Sequence, residues 1–206
     1  MAAPIMDKER GREVLLEVAG VLDMLDIPFF LMQGTALGAY RDGGFVPWER
    51  DIDFGVLIEH LAPAADKLSK SLQDIGFSIR KIVEPFTVCR TVVATNDSCG
   101  IHADIVGFAV WGDKRFTATP LDFHSVGRHP WAIMHNREQL EQYEKVRAWG
   151  REFLMPSPAE QYLESEYGPE WRTPKDDHVS RGRVYNFIRD NNLPPDFLEK
   201  QIAGKP

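Results

Sequence analysis

Cysteine is nearly absent: the 206 residues include two, Cys89 and Cys99. Two thiols cannot build a disulfide framework, and their spacing makes no C-x-x-C metal or redox pair. They read as buried or half-buried thiols on strands. Long apolar runs are missing as well. No stretch approaches the roughly 20 apolar residues of a membrane helix. The opening MAAPIMDKERGREV carries charges where a signal peptide needs its apolar centre. A soluble, cytoplasmic chain with no transmembrane segment is expected. Positive charge is in deficit, with 24 Lys and Arg against 31 Asp and Glu. The net charge of -7 argues against broad, nonspecific nucleic-acid binding, so no stable nucleic-acid partner is expected. A nucleotide substrate stays compatible, because a metal offsets phosphate charge locally. There is no internal repeat and no low-complexity linker. His124, His129 and His135 match no standard zinc spacing and read as solvated or structural.

What is present is a core: 43% of the residues are hydrophobic, enough for one domain over 1–206. Val14, Leu15, Val18, Val21, Leu22 and Leu25 recur at helical spacing over 7–26. PFFLMQG reads as a short buried strand running into a glycine turn. TALGAYR then forms a short helix from Gly34 onward, broken by Asp42-Gly43-Gly44. DIDFGVLI alternates as a strand. LAPAADKLSKSLQDIGF is a second amphipathic helix, with Pro63 in its first turn and Gly76 at its C-cap. Strands follow at FSIRKIV, FTVCRTVVAT and GIHADIVGFAVW, with a turn at TNDSCG. A hairpin is expected around Trp149 and Gly150, then a helix over PSPAEQYLESEYG. Residues 156–206 form a helical and irregular extension that wraps the domain. Helices on a mixed sheet give an α/β or α+β class.

The chemistry concentrates in GTALGAYRDGGFVPWERDIDFGV, residues 34–56. Asp51 and Asp53 are two apart on a strand, which places both carboxylates on one face. Side by side they repel, and need a cation, a shared proton or open solvent. An exposed strand edge would supply the solvent. The intervening Ile52, Phe54 and Val56 instead bury the opposite face, and a glycine turn opening a helix precedes the pair. Such a turn offers backbone N–H groups to phosphate. Magnesium, or manganese, takes hard oxygen ligands and shares its shell with substrate phosphates.

This stretch resembles the signature of the LicD/fukutin family of phosphotransferases. The matching elements are Gly34-Thr35, Leu37-Gly38-Ala39-Tyr40-Arg41, Gly43-Gly44, Pro47-Trp48 and Asp51-Ile52-Asp53. Downstream, FLMPSPAEQYLESEYGPEW is similar to the family's closing Pro, Tyr-Leu, Tyr-Gly and Trp pattern. The resemblance spans roughly residues 20–175. Two departures stand out: Gln33 occupies a position that is often glycine, and Glu49-Arg50 is less acidic than usual.

The resemblance implies a nucleotidyltransferase-type fold. It also implies transfer of a phospho-alcohol, such as phosphocholine or ribitol phosphate, from a CDP-linked donor to a glycan or other hydroxyl acceptor, with CMP released. It implies a third carboxylate on a neighbouring strand, and Asp104, between Ala103 and Ile105, is the expected one. Asp51, Asp53 and Asp104 are then the catalytic metal ligands, for one Mg2+ or two. Gly34, Thr35, Arg41 and Trp48 are the expected substrate-binding residues. Arg41 would fork onto phosphate, or sit favourably at a helix C-terminus. Trp48 would stack on a base, or anchor its loop. An NTP-dependent nucleotidyltransferase releasing pyrophosphate, and a noncatalytic nucleotide-binding module, are the rival expectations.

Overall fold

The computed structural model describes residues 4–83, 90–119, 131–174 and 187–189. Cys89, His124, His129 and most of the polar tail after Pro174 lie outside the described residues.

Helix α1 (Lys8–Met24) starts at Asp7, whose side chain accepts the Arg10 N–H at 2.9 Å and satisfies one of the helix's orphan donors. It buries Val14, Leu15, Val18, Ala19, Val21 and Leu22, the stripe its periodicity announces. Strand β1 (Phe30–Leu31) is very short. Helix α2 (Gln33–Leu37) continues into a π-helical turn over Gly38–Asp42, which Gly43 ends at φ 69. Strand β2 (Asp51–Leu57) passes directly into α3 (Ile58–Asp74).

Helix α3 thus begins earlier than apolar periodicity suggests, and Pro63 lies inside it, beyond its first turn. Glu59 and His60 hide the start from a pattern search, although Glu59 suits the positive end of the helix dipole. Pro63 lacks the N–H that would reach the Glu59 carbonyl, so the helix forgoes that bond.

Strands β3 (Phe77–Val83), β4 (Arg90–Asn96) and β5 (His102–Trp111) follow as expected. Strands β6 (Lys114–Thr119) and β7 (Trp131–Asn136) and helix α4 (Arg137–Glu141) were not foreseen. The hairpin of β8 (Tyr143–Ala148) and β9 (Arg151–Pro156) turns at Trp149 and Gly150, with φ 49 and 86. Two positive φ values fit the twist of a two-residue hairpin loop. Helix α5 (Ala159–Tyr167) and strand β10 (Phe187–Arg189) complete the described chain.

The main sheet runs β1-β2-β5-β6-β7-β10, with β4 also paired to β5 and β3 outside β4. Among the described pairs only β2 and β5 are parallel. Long strand β5 is flanked along its first part by β2 and β4, and its end, Ala109–Trp111, pairs β6. Helix α3 packs on β3, β4 and β5, and α1 packs on α3. The fold is mixed α/β, and its interior strands carry Ile52, Phe54, Val56, Ala103 and Ile105 fully buried. Among the described residues no helix is long and apolar enough to cross a membrane.

Candidate active site

Asp51 and Asp53 open strand β2, and the parallel register places Asp53 beside Asp104 on β5, and Asp51 beside His102. Paired residues of neighbouring strands point to the same side, so the three aspartates share one face. Strands β4 and β3 extend the row, with Val93 opposite Asp104 and Arg80 opposite Val93. Arg80 is exposed at the far end of that row. In the other direction along β2, the same face closes at Gly55, where a Cβ would collide with the Phe30 ring. The carboxylates therefore stand at the start of β2, beside an aromatic plug.

The β1–α2 turn is tied to Asp53 through both of its backbone groups. The Met32 N–H donates to the Asp53 carbonyl at 3.3 Å, and the Asp53 N–H donates to Thr35 Oγ1 at 2.9 Å. Gly34 faces Glu49: a Cβ there would lie 2.8 Å from Glu49 Oε1 and closer still to Oε2. Only glycine lets that carboxylate approach the turn. Glu49 is 9% exposed, and its Oε2 has no hydrogen-bond partner among the described residues.

Four acidic side chains thus crowd one buried corner, and each is harder to ionise than a free carboxyl. Burial, with Asp51 beside it, pushes Glu49 up to about 8. Burial raises Asp51, against the opposing pull of His102 and Arg50. Asp53, 8% exposed, is held well above the carboxylate range by burial first, then by Asp51, Glu49, Asp104 and Glu166. Burial and Asp51 push Asp104 up to about 6, against Arg80. Desolvation and like charge act in the same sense here, and a cation would reverse both. Among the described residues, no three acidic, histidine or cysteine side chains are arranged to hold a metal ion as they stand.

Arg41 and Trp48 lie on the π-helical turn and the loop after it. The Arg41 guanidinium bonds the Asp42 carboxylate through Nε and Nη2, at 2.8 Å each, and the Trp171 carbonyl through Nη1 at 3.1 Å. It also lies 6.0 Å from the Trp48 ring centroid. Trp48 is half-buried and packs against the hydrophobic core.

A family model for the LicD/FKTN/FKRP nucleotidyltransferase domain matches residues 26–157, more than half of the chain. The chain belongs to the LicD/FKTN/FKRP family. Its curated relatives include the mouse ribitol-5-phosphate transferase FKTN, 39% identical over 56 residues, which are 27% of this chain and 12% of that protein. The human ribitol 5-phosphate transferase FKRP is 40% identical over 77 residues, 35% of this chain and 16% of that protein. The matches thus span less than a fifth of those relatives' length. Among solved structures, the antibiotic-resistance factor ANT(2'')-Ia superimposes with a TM-score of 0.51 at 14% identity, covering 96% of this chain and 91% of that one. That likeness shows a nucleotidyltransferase-like fold.

All seven residues singled out in the sequence fall inside the LicD-matched stretch. The structure adds others that the sequence reading passed over. Glu49 was noted only as part of a less acidic stretch. Its place two before Asp51 and four before Asp53 continues the period-two pattern and could have marked it. Arg80 needed the sheet register before it could be placed. Tyr162 and Glu166 lie on α5, one turn apart, beyond the LicD match. The Tyr162 phenol accepts the Gln33 N–H at 3.1 Å. Glu166 Oε1 meets His135 Nε2 at 2.9 Å with both side chains at most 1% exposed, so His135 is a buried residue and not a solvated one.

Proposed function

We propose that this LicD-family chain is a magnesium-dependent phosphotransferase, moving a phospho-alcohol of the ribitol-phosphate or phosphocholine type from a CDP-linked donor to a glycan hydroxyl. The observation that carries this reading is the carboxylate corner itself. Asp51, Asp53 and Asp104 crowd one face with raised proton affinities, beside a glycine turn whose open side is taken by the Glu49 carboxyl. The donor set is hard and anionic, as Mg2+ or Mn2+ requires. Asp51, Asp53 and Asp104 would hold the ion. Bound there, the metal supplies charge neutralisation for the diphosphate and acidifies the acceptor hydroxyl.

The residues of the chain do the rest. Gly34 and the Thr35 N–H would receive a donor phosphate where the Glu49 carboxyl now rests, the Ala36 N–H being given to the Met32 carbonyl. Thr35 fixes Asp53 by accepting its N–H, and keeps its own hydroxyl proton to donate. Arg41 and Trp48 would reach the donor from the following loop, Arg41 by exchanging its bonds to Asp42 and the Trp171 carbonyl for phosphate. The acceptor oxygen bonds to the alcohol-bearing phosphorus while the bridge to CMP breaks. CMP leaves with the bridging oxygen, and the hydroxyl proton passes to the carboxylate corner. We place the reaction in the cytoplasm.

Incubation with MgCl2 and CDP-ribitol, CDP-choline or an NTP tests the reading. CMP release from a CDP-alcohol, lost in Asp51→Asn and Asp53→Asn, is expected. Pyrophosphate release from an NTP would make the chain a nucleotidyltransferase in the strict sense. Neither product would leave a binding module.

A further inference from the structure

Gln33 is one of three non-glycine residues with positive φ among the described residues, at 47. It stands where strand β1 turns into α2, directly before Gly34 and Thr35. A glutamine in the left-handed region is strained, and strain of this kind persists only where the surroundings impose it. One contact that bears on this turn comes from far along the chain. The Gln33 N–H donates to the Tyr162 phenolic oxygen at 3.1 Å, across 129 positions of sequence.

Tyr162 is itself held firmly. Its side chain is 1% exposed, and its ring lies 5.2 Å from that of His135. His135 in turn meets Glu166 on the same helix as Tyr162. The phenol therefore projects from a rigid, buried polar cluster. Downstream of Gln33 the geometry continues into the site: Thr35 takes the Asp53 N–H, and the Glu49 carboxyl rests on Gly34. A rotation at Gln33 would move Gly34 and Thr35 together, and with them the hold on Asp53.

We propose that Tyr162 is a positioning residue: its phenolic oxygen captures the Gln33 N–H and fixes the peptide plane from which Gln33 turns left-handed, and so, with the Asp53–Thr35 bond beyond it, sets the Gly34-Thr35 turn over Asp53. The link to catalysis rests on the phosphotransferase reading. The link to the turn does not.

The test is a double-mutant cycle in the full chain, using Tyr162→Phe and Gln33→Gly. Phenylalanine keeps the ring and removes the acceptor. Glycine accepts positive φ without strain, so it no longer needs the phenol. Tyr162→Phe alone should speed hydrogen exchange of the residue-33 amide by roughly tenfold or more, the range for one lost hydrogen bond. It should also lower the urea midpoint and raise the KM for CDP-ribitol several-fold more than it lowers kcat. In the Gln33→Gly background the stability and KM penalties of Tyr162→Phe should shrink, which a core-packing role would not produce. Equal penalties in both backgrounds, or an unchanged Gln33 amide, would overturn the proposal. If Tyr162→Phe does not fold, folding restored by Gln33→Gly supports it, and failure of both variants overturns it. A wild-type chain that releases no CMP from CDP-ribitol counts against the phosphotransferase reading. Exchange and stability then still decide the role of Tyr162.

Discussion

The Asp53 backbone N–H donates to Thr35 Oγ1 at 2.9 Å, so the most deeply buried aspartate of the corner is fixed by the residue that follows the glycine turn. Both groups are buried, and water cannot replace the bond. Thr35→Val keeps the shape and removes the acceptor. It should cost about 1–3 kcal/mol, the penalty for an orphaned buried N–H. Thr35→Ser keeps the acceptor and loses about 0.8 kcal/mol for one methyl. Amide exchange separates the two: the Asp53 N–H should lose protection in the valine variant and retain it in the serine variant. Equal protection in both would remove the hydroxyl from this role.

Gly34 and Glu49 make a second coupled pair. A methyl at position 34 would fall within 2.8 Å of Glu49 Oε1, too near for the carboxyl to stay. Gly34→Ala should therefore destabilise by about 1–3 kcal/mol, as overpacking does. Truncation of the neighbour relieves the clash, so Gly34→Ala should cost much less in a Glu49→Ala background. Urea unfolding of the four variants measures the coupling. Strict additivity would mean that the glycine is needed for some other reason.

How much of this was legible in the sequence depends on the range of the interaction. Asp51 and Asp53 share a face through local period-two geometry, and α1 and α5 announce themselves through spacing and caps. Asp104 could be nominated but not placed. Its position beside Asp53 follows from the parallel pairing of β2 with β5, whose residues are about fifty positions apart. Strands β6 and β7 escaped notice because Lys114, Arg115, His135 and Asn136 interrupt the apolar pattern, and Arg115 and His135 are nonetheless buried. Their burial is compensated by partners on other elements, which no local pattern reveals. For the same reason Tyr162 showed only as a member of the expected helix and of the Tyr-Leu pattern, and its bond to Gln33 became visible only in the fold.

Arg115 shows what such a partner is worth. Its side chain is 2% exposed, and its guanidinium forks onto Glu59 at 2.6 and 2.9 Å while also meeting Glu141. It thereby ties β6 to the start of α3 and the end of α4. Lysine keeps the charge and loses the planar fork. Arg115→Lys should cost roughly 1.5–3 kcal/mol, the scale of a charged hydrogen bond. The figure stays below that for a fully buried pair because Glu59 and Glu141 retain contact with water. A change under about 0.5 kcal/mol in chemical denaturation, the size of a neutral surface substitution, would show that the fork contributes nothing.

The carboxylate corner sets the pH response of the metal-free protein. Glu49 at about 8 and Asp104 at about 6 both hold their protons more tightly in the fold than in the unfolded chain. Between the unfolded values near 4 and these folded values, the native state binds more protons, so stability must fall as pH rises. The contribution is complete below about pH 4 and lost progressively up to about pH 8. Other acids in the chain gain partners on folding, Glu59 and Glu141 among them, and oppose this trend only at the acid end. The window for the corner is therefore pH 5.5 to 8, measured with EDTA present and read as the difference between wild type and the variants below, which cancels the histidines that also titrate there. There Tm should drop by roughly 4–8 °C, which at this chain length corresponds to about 2 kcal/mol. Glu49→Gln should flatten the upper half of the curve, because a neutral amide no longer titrates. Asp104→Asn should flatten the lower half. Magnesium at saturation should raise Tm most at pH 8, where the corner is most ionised, and should do so less in Asp51→Asn and Asp53→Asn. A Tm that rises with pH across this window in EDTA would show that the four carboxyls do not share a desolvated corner.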